Sequence, residues 1–112
     1  MAIKADMQGD VAVINLKGKL MGGPDTKALH DKVRELADSG SKKLVIDLGQ
    51  VKWMNSTGLG ALMGALTTAK NHNAELKLAR VTDKVQSLFM MTKLITVFET
   101  HDTLEEAVSS FS

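Results

Sequence analysis

Ile3, Ala5 and Met7 alternate with Lys4, Asp6 and Gln8, a period of two that marks a strand with one buried face. Gly9-Asp10 turns the chain, and a second alternation over Val11 to Lys17 puts Ala12, Ile14 and Leu16 on one side, so a hairpin is expected. GKLMGGPD, residues 18–25, joins three glycines to the only proline and predicts a loop that ends by starting a helix. Leu29, Val33, Leu36 and Ala37 then recur at i, i+4, i+7 and i+8, one helix face, which Ser39-Gly40 stops.

LVIDL, residues 44–48, is a continuous apolar run with β-branched members, the pattern of a central strand covered on both sides. Residues 49–55 are expected to lead out of it into a helix that starts at Ser56, where Leu59, Leu62, Met63 and Leu66 take helical spacing. Gly58, Gly60 and Gly64 within that helix each cost about 1 kcal/mol against alanine, which predicts close backbone packing in return. ELKLAR, residues 75–80, reads as another strand. Asp83 with Gln86 has the form of a capping box before a short helix bearing Val85, Leu88 and Phe89. Ile95, Val97 and Phe98 predict a short edge strand. Thr103 with Glu106 forms a second capping box, and Leu104, Ala107, Val108 and Phe111 line the last helix. The order β-β-α-β-α-β-α-β-α predicts an α/β fold over residues 1–112, a four- to five-stranded mixed sheet with about four helices.

At 112 residues the chain has room for one domain. Lys and Arg total 14 against 13 Asp and Glu, scattered along the sequence, which disfavours a nucleic-acid partner. With no cysteine there is no disulfide, thiolate metal site or thiol nucleophile, in keeping with a reducing, cytoplasmic setting. Lys4 and Asp6 interrupt the N-terminal segment where a signal peptide would be apolar. The longest uncharged stretch, Trp53 to Ala69, contains five polar side chains and falls short of the ~20 apolar residues of a membrane span. Direct membrane insertion is therefore not expected, and the Asn55-Ser56-Thr57 sequon carries no weight without a secretory signal.

Enzyme chemistry finds little support. His30, His72 and His101 have no partner at the spacing of a helical metal site and read as surface or capping residues. Ser56 lacks the G-x-S-x-G elbow of a hydrolase nucleophile. The glycines at 58, 60 and 64 lie inside a helix instead of in the strand-to-helix turn of a dinucleotide site, and no P-loop is present. No cofactor is called for. Of the seven methionines most are expected in the core or at termini, with Met21 standing out in its glycine-rich loop.

Asn55-Ser56-Thr57 offers two readings. Each of these side chains suits a helix N-cap, whose oxygen accepts N–H groups left unpaired in the first turn. The same unpaired groups and the positive end of the helix dipole also suit a phosphate, so a modified serine would change the surface without unfolding it.

The run of VIDL through GQVKWM into NSTGLGALMGA, followed by AELKLARVTDKV, resembles the STAS domain of bacterial anti-sigma-factor antagonists. The resemblance implies partner switching. A serine kinase that doubles as an anti-sigma factor phosphorylates the motif serine, a serine phosphatase reverses it, and the unmodified antagonist binds the kinase. Carried onto this chain, it makes Ser56 the phosphoacceptor with Thr57 as the alternative, and Asp47 the acid ending the central strand. It places a partner surface on Asn55, Ser56, Thr57, Gly58, Leu59, Gly60 and Asp47, together with Met21, Gly22, Gly23 and Asp25 of the glycine loop. A monomer or weak dimer is implied. Asn55 stands where the family form has Asp, which keeps the capping oxygen and removes a charge; Met21 stands where many relatives have Asp. The neutral Asn55 supports a second expectation, a STAS scaffold or ligand module of a lipid-transport or stress-signalling assembly that is not phosphorylated.

Overall fold

The computed structural model describes residues 1–93 and 97–111. The two alternating N-terminal segments form β1 (Ala2–Gln8) and β2 (Val11–Leu20), paired antiparallel through a turn in which Gly9 takes a left-handed φ of 62°. Parallel to β2 runs β3 (Lys43–Met54), then β4 (Glu75–Ala79) and β5 (Thr100–His101), giving one mixed sheet in the order β1-β2-β3-β4-β5. The helices α1 (Pro24–Asp38), α2 (Ser56–Asn71), α3 (Asp83–Met91) and α4 (Leu104–Ser109) follow in the predicted alternation.

The continuous apolar runs of β2 and β3 are explained by burial on two sides. Ala12, Ile14, Leu16, Leu44, Ile46 and Leu48 meet Leu29, Val33 and Ala37 of α1, the apolar face of α2, and Val85 and Phe89 of α3. On the other face Val11, Val13, Val45 and Ala79 meet Ala107 of α4, with Leu104, Val108 and Phe111 around it.

β3 is longer than the sequence predicts. Leu16 of β2 lies opposite two residues, Leu48 and Gly49, and Lys52 is a second extra residue between the pairs Gly18–Val51 and Lys19–Trp53. Each irregularity advances the core-facing position by three residues instead of two, from Leu48 to Val51 and from Val51 to Met54. The alternation on which a strand is recognised is lost, while the pairing continues to Met54. The predicted loop at residues 18–25 is likewise shorter, because β2 extends through Leu20 and leaves only Met21–Gly23 before α1.

Three local expectations are corrected. Thr82, not Asp83, precedes α3, and no side chain caps it. Val97 lies in a turn and Phe98 in a bend, where its ring stacks on Phe89 with centroids 5.7 Å apart; the edge strand is Thr100–His101, and Ile95 lies outside the described residues. Met7, Met90 and Met91 are exposed and are neither core nor termini. The second capping box is half made: the Thr103 hydroxyl accepts the Glu106 N–H at 3.0 Å.

Asp47, expected to end the central strand, lies within β3 opposite Asn15 and Ala79, where it is buried and its charge is fully engaged. Arg80 donates from Nε at 2.8 Å and from Nη2 at 2.7 Å, Asn15 donates at 3.2 Å, and the Gly49 N–H donates at 3.0 Å. Gly49 has no Cβ where the guanidinium lies, since one would fall 2.5 Å from its Cζ. The hydrogen-bonded Asp47 carboxylate raises the Arg80 pKa above its ordinary value. This pair ties β3 to the end of β4. Arg80→Ala would leave a buried carboxylate with only neutral donors, and we expect it to lower stability by about 2–3 kcal/mol in equilibrium urea unfolding.

Candidate functional site

The site is built where β3 ends and α2 begins. Asn55 has extended backbone and its Oδ1 accepts the Gly58 N–H at 2.7 Å, so the capping role belongs to Asn55. The Ser56 and Thr57 side chains take no part in the cap, and both residues are exposed. As the first two residues of α2 they also carry backbone N–H groups with no acceptor inside the helix.

Two glycines hold this turn in place. At Gly58 a Cβ would be driven into the Leu20 carbonyl, so the first turn of α2 rests on the last residue of β2. At Gly22, with φ of 89°, a Cβ would be driven into the Thr57 methyl. The Met21–Gly23 loop is thereby laid against the hydroxyl-bearing turn, and two segments more than thirty residues apart in sequence share one surface. Gly64 makes a third close approach, to the His30 ring, whose Nε2 lies 3.0 Å from the Ala61 carbonyl oxygen. His30 is thus a packing residue between α1 and α2. Nothing lies near a Cβ at Gly60, so close packing does not account for that glycine.

Of the predicted surface, Ser56, Thr57, Gly60, Met21 and Gly23 are exposed, and Asn55 and Asp25 are partly so. Gly58, Leu59 and Gly22 are buried, Leu59 facing the core. Asp47 does not belong to the open surface: at 1% exposure its carboxylate is covered and paired with Arg80. Trp53, which the sequence reading passed over, is 43% exposed one residue before Met54. The signal for it was the irregular spacing of apolar residues after Leu48, which a strand reading without register shifts could not use. Among the described residues no three His, Asp or Glu side chains converge as a metal would require, and no helix is long and apolar enough to cross a membrane. The arrangement presents a neutral, hydroxyl-bearing turn at the protein surface.

The family profile described as "Mlab, STAS domain" matches residues 3–99. The chain belongs to the STAS-domain family. Among its relatives is the anti-sigma-B factor antagonist of Staphylococcus aureus, 30% identical over 66 residues, 59% of this chain and 61% of that protein. This STAS chain therefore spans less than two thirds of the length of that curated relative. An anti-sigma factor antagonist from Mycobacterium paratuberculosis superposes with a TM-score of 0.80 at 20% identity, covering 97% of this chain and 92% of that one. The phosphorylated form of SpoIIAA, a Bacillus cell fate determinant, superposes with a TM-score of 0.73 at 18% identity, over 99% and 100% of the two chains. These likenesses establish the STAS fold.

The geometry of the STAS turn makes two mutational predictions. Asn55→Ala is expected to cost about 1 kcal/mol in urea unfolding, whereas Asn55→Asp, which retains the capping oxygen, keeps the stability of the parent. Gly58→Ala is expected to cost about 1–3 kcal/mol through collision with the Leu20 carbonyl, while Gly60→Ala stabilises by about 0.5–1 kcal/mol. Thermal and urea unfolding of the pair check both signs.

Proposed function

We propose that this STAS chain is an anti-sigma-factor antagonist that binds an anti-sigma factor with serine kinase activity through the first turn of α2, and that phosphorylation of Ser56 releases it. The observation that carries the reading is the division of labour at that turn: Asn55 makes the cap, which leaves the exposed Ser56 hydroxyl outside it. The STAS family and the names of its relatives supply the partner class. In this reading the protein is a binding module, cytoplasmic like the kinase it meets, and its chemistry is done by the partner enzymes. The Ser56 oxygen takes the γ-phosphoryl group of ATP as the bond to the bridging oxygen breaks, ADP leaves and the hydroxyl proton passes to a base of the kinase. A serine phosphatase restores the hydroxyl with water.

The switch is local electrostatics. Unmodified, the turn is uncharged, and interface cores are depleted of charge. A phosphate adds about −1.5 to −2 charges there, and covering them without matching cations is costly. A penalty of ~3 kcal/mol corresponds to more than a hundredfold in affinity. The unpaired N–H groups and the helix dipole meanwhile stabilise the dianion, so the fold survives the modification. Thr57 is the alternative acceptor, although its methyl is engaged with Gly22.

A second reading, a STAS scaffold without phosphorylation, is favoured by the neutral Asn55 in place of an acid. Incubation with the kinase and ATP separates the two. One phosphate is expected by intact mass, none on Ser56→Ala, and the modified chain should bind the kinase more than ~100-fold more weakly. No phosphate on the parent chain would be the outcome of the scaffold reading, and modification of Ser56→Ala at the parental rate would rule out Ser56 as the acceptor.

A further inference from the structure

Basic residues scattered along the sequence come together beside this turn. Lys19 near the end of β2, Lys52 near the end of β3 and Lys84 in the first turn of α3 line one shallow groove with Met21 and Trp53. Lys19 and Trp53 are register partners across the parallel strands. Trp53 and Lys84 also border a second groove, which reaches Leu88 and Met91, so apolar surface continues past them. Met21 is 49% exposed and Met91 82%. Among the described residues no Asp or Glu lines either groove. Among the described residues, none of these three lysines belongs to an ion pair, although six other Lys and Arg side chains do.

Large apolar side chains ringed by uncompensated ammonium groups ask for an occupant with the opposite charge and an apolar anchor. We propose that the groove seats an acidic protein segment of the partner, its carboxylates on Lys19, Lys52 and Lys84 and one apolar side chain against Trp53 and Met21. The proposal rests on the reading of the Ser56 turn as a partner surface, since Trp53, Met54 and Asn55 lead directly into it. Three lysines fall short of the cluster of about four to eight that holds a protein to an anionic membrane, and they form no stripe along which a phosphate backbone would run. An acidic occupant also sharpens the switch, because a phosphate on Ser56 repels the incoming carboxylates.

Trp53 is the only tryptophan, so its fluorescence reports on this groove and the one adjoining it. The intact chain is titrated with a synthetic peptide rich in Asp and Glu around a central Leu, and with the same peptide carrying Asn and Gln instead. The acidic peptide is expected to shift Trp53 emission and to bind at least tenfold more tightly than the amide peptide. Its affinity is expected to fall at least tenfold between low and high salt, and as much in the Lys52→Gln/Lys84→Gln chain, whose melting temperature checks its fold. Equal binding of the two peptides, affinity indifferent to salt and to the lysines, or a Trp53 response only to phosphatidylglycerol vesicles or a single-stranded oligonucleotide overturns the proposal. Ser56→Asp separates it from the phosphorylation reading: if peptide affinity stays while the lysine variant loses it, the groove stands and the switch fails.

Discussion

The first turn of α2 lies so close to the last residue of β2 that no side chain fits at position 58. That contact sets the height and direction at which the helix leaves the sheet, and the rest of the site is built around it. With Gly58 seated on the Leu20 carbonyl, Leu59 turns into the core and Ser56 and Thr57 turn outward. The Met21–Gly23 loop, which begins where β2 ends, then lies against Thr57 with only glycine able to occupy position 22. Rigid close packing is what allows an exposed hydroxyl to be presented in a fixed place, since both segments are anchored to one strand end.

Charge is sorted around this platform. Asp47, within the central strand β3, is withdrawn into a pocket of four donors and closed off by Arg80. The cap is an amide instead of a carboxylate. The hydroxyl-bearing turn is therefore neutral, while the neighbouring groove carries three ammonium groups. A single added dianion would be the largest charge in the neighbourhood, which is the condition for a modification to control association without altering the fold. The architecture is shared with a STAS relative at 20% identity and a TM-score of 0.80.

Much of the architecture was legible in the chain. The hairpin, the faces of α1 and α4 and the start of α2 at Ser56 follow from periods of two and 3.6 that burial imposes on neighbouring residues. The cap at Asn55 follows from the chemistry of its side chain. Where the reading failed, the cause was the same each time: a pattern set by residues distant in sequence. β3 appeared to stop at Leu48 because two register shifts against β2 break its alternation, and the edge strand was misplaced because Phe98 is apolar for its stacking on Phe89 and not for a place in the sheet.

By itself the sequence determined the order of the elements, the neutral hydroxyl motif and its position at a helix start, all of them consequences of local backbone preference and side-chain type. Only the tertiary structure decided which of the singled-out residues face solvent. Asp47 went inside because Arg80, thirty-three positions away, reaches it; Trp53 came outside because Lys52 is an extra residue in the ladder. Lysines from β2, β3 and α3 meet only because parallel pairing brings strand ends and helix starts to one end of the sheet. Periodicity records whether a position is buried, and it holds no record of what lies across from it.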